Sequence, residues 1–278
     1  TLEKALDFYV ERKNGPNKSD SDKPLRDTLT EALILTLLGQ SYLEESKVLK
    51  ESDPEAHLIE ARQAIDLLNR ATKILPTNSP HLAVANVQIA RAHSELDDPE
   101  FGNSLEKVNA HLTVALELSP GNADISTETN LNWELGKVWL RMLVQDQEFR
   151  SVQDSVASGE KSVLSVTSRK MIASSESYLR KALDGVSPKS FPAPFRFTDV
   201  KLELAKLSFH LADAIPSGPK REGILKRAAG NLNEARMQIS REQWPQFYMG
   251  LTTLAGDLHL RLGEASLAST CYREAFVL

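Results

Sequence analysis

A spaced trio of residues recurs along this chain: a small side chain, a bulky one four positions on, and an alanine three positions after that. It appears at Ala64, Leu68 and Ala71, at Val108, Leu112 and Ala115, and at Ser175, Leu179 and Ala182. It returns at Ala228, Leu232 and Ala235, and at Ala268, Tyr272 and Ala275. Steps of four and three keep all three residues on one face of a helix. Upstream of each trio stands an apolar–small pair: Leu38-Gly39, Ile89-Ala90, Leu135-Gly136, Leu204-Ala205 and Ala255-Gly256. A small residue on one helix lets a second helix come close, and the trio supplies the surface that interlocks with it. The pattern therefore predicts paired helices, repeated. No such pair buries its own apolar face alone, so the pairs must stack.

The rest of the sequence agrees with helices throughout. Period-2 alternation is nearly absent and period-3.6 patterning nearly continuous, giving about eleven helices. Breaks are expected at Pro76 and Pro80, Pro99, Pro120-Gly121, Ser187-Pro188, Ala214 to Pro219, and Trp244-Pro245, where the proline suits the first turn of a new helix. Gly15 to Pro24 reads as a mobile polar loop, and the Ser-rich stretch Ser151 to Ser168 as a loop or a weak extension of its flanking helices.

The recurrence, with ALELSPGNA and ATKILPTNS at its joints, resembles the tetratricopeptide repeat family, whose period is about 34 residues. The resemblance implies an all-α, right-handed α-solenoid of stacked helical hairpins. Residues 1–28 are expected to form an N-terminal helix and mobile loop, and 29–278 five degenerate units: 29–78, 79–121, 122–190, 194–240 and 242–278. Only the last unit has the family spacing; the first four carry 13, 6, 27 and 11 additional residues between their halves.

In that family the first helix of each unit lines a concave face. Carrying the family's inward positions onto this sequence gives Arg91, Trp133, Lys137, Arg141, Lys206, Phe209, His210 and Arg261 as partner-binding residues. Thr36, Leu43 and Leu140 fall on the same face by this register. A face mixing cations with aromatic rings suits an acidic and apolar peptide or helix of another protein. The clamp of Lys, Asn and Arg that some members use for chaperone tails is absent, since Leu33, Leu37, Gln88, Asn130 and Glu134 occupy its positions.

Other chemistry is not signalled. The net charge of −5 argues against a general nucleic-acid binder, and no stretch is long and apolar enough to cross a membrane. The lone Cys271 excludes an internal disulfide and reads as a buried thiol. The six histidines form no metal-ligand spacing, and there is no phosphate loop or nucleophile elbow. His93 and His259 are expected between helices. The expectation is a non-catalytic interaction scaffold, without cofactor or metal, in the cytoplasm or nucleus. Two alternatives stay open: a regulatory or substrate-recruiting region cut from a larger enzyme, and a self-associating structural solenoid.

Overall fold

The computed structural model describes residues 23–77, 79–96, 104–118, 125–160, 162–186 and 193–276. Among them are eleven α-helices and no strand. The chain divides into two compact units, residues 1–123 and 124–278.

The first unit contains α1 (Lys23–Leu49), α2 (Pro54–Ile74), α3 (Pro80–Glu95) and α4 (Ser104–Glu117). The second contains α5 (Ile125–Gln145), α6 (Gln147–Ala157), α7 (Val166–Asp184), α8 (Ala193–Asp213), α9 (Pro219–Met237), α10 (Pro245–Arg261) and α11 (Ala265–Phe276). The hairpins are α1–α2 and α3–α4 in the first unit, and α5–α7, α8–α9 and α10–α11 in the second. Within each unit the second helix of one hairpin packs on the first helix of the next. Both units are thus α-solenoid stacks of helical hairpins.

The recurring small residues sit at the hairpin seams. A Cβ placed on Gly39 would lie 2.6 Å from Leu68 Cγ, on Gly136 2.6 Å from Leu179 Cγ, and on Gly256 2.7 Å from the Tyr272 ring. Every bulky residue named by the trio opposes its own glycine in these three hairpins. Hydrogen bonds cross the same seams. Ser175 Oγ donates to the Gly136 carbonyl at 2.9 Å, and the Tyr272 hydroxyl donates to Asp257 at 2.6 Å. In the first hairpin the Ser46 hydroxyl and carbonyl both lie 2.8 Å from buried His57 Nδ1.

Proline and small polar residues set the helix ends. Pro54, Pro80, Pro219 and Pro245 open α2, α3, α9 and α10, where a missing N–H leaves no gap in the helical ladder. Asp53 and Ser79 cap α2 and α3 by accepting from Ala56 and His81 N–H. Between α10 and α11 the chain turns through Gly263 at φ 76°, a left-handed conformation that disfavours a side chain.

Of the two stretches read as loops from composition, the first already enters a helix at Lys23, and the second is largely helical, as its alternative reading allowed. Lys23 and Pro24, expected in the first loop, already belong to α1, while residues 15–22 lie outside the described residues. Within Ser151 to Ser168, residues up to Ala157 belong to α6 and those from Val166 to α7. Ser158 and Ser165 mark helix ends. Ser165 Oγ caps α7 by accepting from Ser168 N–H at 3.0 Å, and Ser168 Oγ donates to Asp146, itself the cap of α6. Phe149 and Val152 are buried against Leu140, Leu143, Leu207 and Ala214. Helix α6 therefore lies in sequence between the two helices of the α5–α7 hairpin and docks on α5 and α8.

Of the two histidines expected between helices, His93 is buried, its ring stacked on His111 of α4 at 6.0 Å. Burial, then the neighbouring His111 and Lys107, lower its pKa to about 4. His259 is less enclosed and pairs with Glu264 at 2.7 Å. Because His93 titrates lower when folded than in the free chain, its contribution to stability is complete above pH 6.5 and is lost as pH falls toward 4. His93→Leu should flatten the acid limb of a plot of melting temperature against pH. An unchanged limb would assign that loss to other groups.

Candidate functional site

Seven of the eight expected binding residues lie in the second unit, and Arg91 stands exposed on α3 in the first. In the second unit the first helices α5, α8 and α10 carry them.

Trp133 on α5 is the centre of one group. Its ring is half-buried beside Leu179, Ala182, Val200 and Leu204. Lys137, one turn on, holds its ammonium 3.9 Å from the ring centroid, and Arg196 of α8 places its guanidinium carbon at the same distance. Two cations on one indole is a favourable electrostatic arrangement. The indole N–H is buried and has no hydrogen-bond partner among the described residues.

Acids one turn away balance these cations. Lys137 pairs with Glu134 at 3.1 Å, Arg196 with Asp199 at 3.6 Å, and Lys206 with Glu203 at 2.9 Å. Asp199 lies among them, and burial raises its pKa against the opposing pull of Arg196, Lys137 and Lys206. Same-helix pairs of this kind contribute little each.

A second group joins α8 to α10. Arg261 stacks on Phe209 with its guanidinium carbon 3.7 Å from the ring centroid, and both fork nitrogens reach Asp213 at 3.1 Å. Arg221 of α9 also approaches Asp213, at 3.6 Å. Phe209 packs at the edge of the core formed by α8 to α11. His210 stands edge-on to Phe209, its carbonyl accepts from Gln153 of α6 at 3.0 Å, and burial lowers its pKa. Arg141 is exposed on α5.

Three residues that the register put on this face are core instead. Thr36 is buried and returns its hydroxyl to the Ala32 carbonyl at 2.8 Å. Leu43 packs with Ala64 and Ala92 between three helices. Leu140 is covered by the inserted α6 through Phe149 and Val152. Conversely, the register overlooked Arg196, Glu203 and Asp213. The i, i+3 spacing of Arg196 and Asp199 was available as a signal; the Asp213 and Arg261 pairing, 48 residues apart, had none.

Among the described residues no group of three or more His, Cys, Asp or Glu side chains is placed to hold a metal ion, and no helix is long and apolar enough to cross a membrane. Cys271 is buried, and its burial raises the thiol pKa.

These features define a helical-repeat protein whose first helices carry a mixed charged and aromatic surface. No family model matches the chain, and no curated protein matches it. Among solved structures it is similar to BtubC (BKLC) from P. vanneervenii, with a TM-score of 0.52 at 15% identity over 91% of this chain and 90% of that one. This likeness concerns the fold alone. A monomeric mutant of IFIT1 with Gppp-AAAA aligns at TM-score 0.29 and 14% identity, over 99% and 75% of the two chains. The apo quorum sensor NprR from B. thuringiensis aligns at 0.27 and 11%, over 98% and 91%.

Proposed function

We propose that the chain is a non-catalytic, tetratricopeptide-like interaction module that holds an acidic and apolar segment of a partner protein on the first helices of its hairpins. The observation that carries this reading is Trp133 flanked by Lys137 and Arg196. Two cations held on one indole, each paired only with an acid of its own helix, offer a partner carboxylate exchange beside an apolar ring edge. Stacked hairpins suit the task because their cores form between neighbours and leave the first helices available. A setting inside the cell agrees with a single, buried cysteine.

The test uses two fluorescent peptides: an amphipathic one with leucines and glutamates, and its counterpart with lysine for every glutamate. Anisotropy should rise with the acidic peptide only. The double variant Lys137→Glu and Arg196→Glu should weaken that binding about tenfold or more, as expected when two charged contacts reverse. Far-UV circular dichroism should stay unchanged. Equal binding of both peptides, or an unaltered affinity in the double variant, would remove the support for this face.

A further inference from the structure

A second concavity lies between α7 and α9, floored by α8, and none of its charged residues belongs to the Trp133 group. It is an open cleft of about 350 Å³, within the range of small-molecule sites. Its floor is apolar: Leu204, Leu207 and Ile224 are buried there, and Leu211 is half-buried. Its wall is low at Gly230 on α9, where an added Cβ would meet nothing within 4 Å. No packing contact asks for glycine at this position, and glycine inside a helix is unfavourable.

The rim charges are not balanced. Arg180 is tied to Glu176 through two nitrogens, at 3.0 and 2.7 Å. Lys201, only 9% exposed, gives its ammonium to Glu234 at 2.8 Å and to the Asn231 side-chain oxygen at 3.2 Å. Those two bonds use two of its three protons. Arg227 also lines the cleft and has no ion-pair partner among the described residues. With both rim acids engaged, the site is left with one uncommitted guanidinium above an aliphatic floor. A guanidinium fork matches a carboxylate in geometry and charge.

We infer that this cleft binds a small aliphatic monocarboxylate, with its chain on Leu204, Leu207 and Ile224 and its carboxylate on Arg227. Lys201, held by Glu234 and Asn231 with its ammonium 5.5 Å from the Phe197 ring centroid, adds positive charge to the rim without a free bond to give. A free acid of medium chain length fits the cleft. An apolar residue at a peptide's C-terminus shares the same chemistry, and the experiment separates the two.

The probe is sodium octanoate, titrated into the isotopically labelled full chain and followed by amide chemical shifts and calorimetry. The expected result is saturable binding with shifts at Gly230 and Asn231. Octanol should bind about tenfold more weakly, the equivalent of one charge-assisted contact. Arg227→Gln should weaken octanoate by a similar factor, and Arg227→Lys by less. Gly230→Leu should abolish binding by filling the cleft, and the two Arg227 variants keep the test decisive if that chain misfolds. The Lys137→Glu, Arg196→Glu double variant should bind octanoate normally, which separates this site from the peptide-binding face. No saturable binding, equal affinity for octanol, or an undiminished affinity in Arg227→Gln would overturn the inference. N-acetyl-leucine binding more tightly than octanoate would also overturn it, in favour of a peptide terminus.

Discussion

Gly136→Leu is expected to break the hairpin formed by α5 and α7, with a loss of about 1–3 kcal/mol or more from overpacking. A Cβ on Gly136 already falls 2.6 and 2.7 Å from two carbons of Leu179 and 3.2 Å from the Leu179 backbone nitrogen. A side-chain atom can swing away, whereas a backbone atom moves only if α7 moves. Leu179 has no exposed surface and hence no free space to enter. Displacing α7 would also stretch the bond from Ser175 to the Gly136 carbonyl. Gly250→Ala serves as the control. That glycine lies in α10 with nothing within 4 Å of its Cβ position, so alanine should stabilise the chain by about 0.4–1 kcal/mol. Thermal melts of the two variants should therefore shift in opposite directions. A Gly136→Leu chain that melts like the parent would mean the seam is not where the structure puts it.

Phe149→Ala is expected to cost about 3–5 kcal/mol, the usual range for deleting a buried aromatic ring. Phe149 has no exposed surface and holds α6 against Leu143 and Leu207. Helix α6 is only 11 residues long, too short to persist in water without this docking. Hydrogen exchange should accelerate through Gln147–Ala157 and at Leu140 and Leu143 beneath it. Protection that survives the substitution would mean Val152 and the Asp146 cap suffice to hold the helix.

The two variants also mark where sequence reasoning worked and where it stopped. The Gly136 seam was legible because a helical hairpin encodes its packing in local spacing: a small residue, then a bulky one opposite it, then alanine. Gly39 with Leu68 and Gly256 with Tyr272 followed the same rule, although the gap between partners differs in every hairpin. Helix α6 was only half legible, because its serines left a loop and a helix extension both open and only Phe149 and Val152 mark its buried side. The uncertain helix then misdirected the face assignment, since Leu140 belongs to the core that α6 and α8 form over it. Trp133 and Lys137 could be paired from their i, i+4 spacing. Arg196 joins them from another helix, more than fifty residues away, and only the folded chain brings it there.

The glycine seams also bear on how such a chain can drift over generations. Volume at position 136 and volume at position 179 occupy one shared space, so neither residue is free to vary alone. A methyl gained on α5 is tolerated when α7 sheds bulk, as in Gly136→Ala combined with Leu179→Ala. Relatives of this chain should show the two positions changing together, with their combined size nearly constant, while the rest of each hairpin diverges freely.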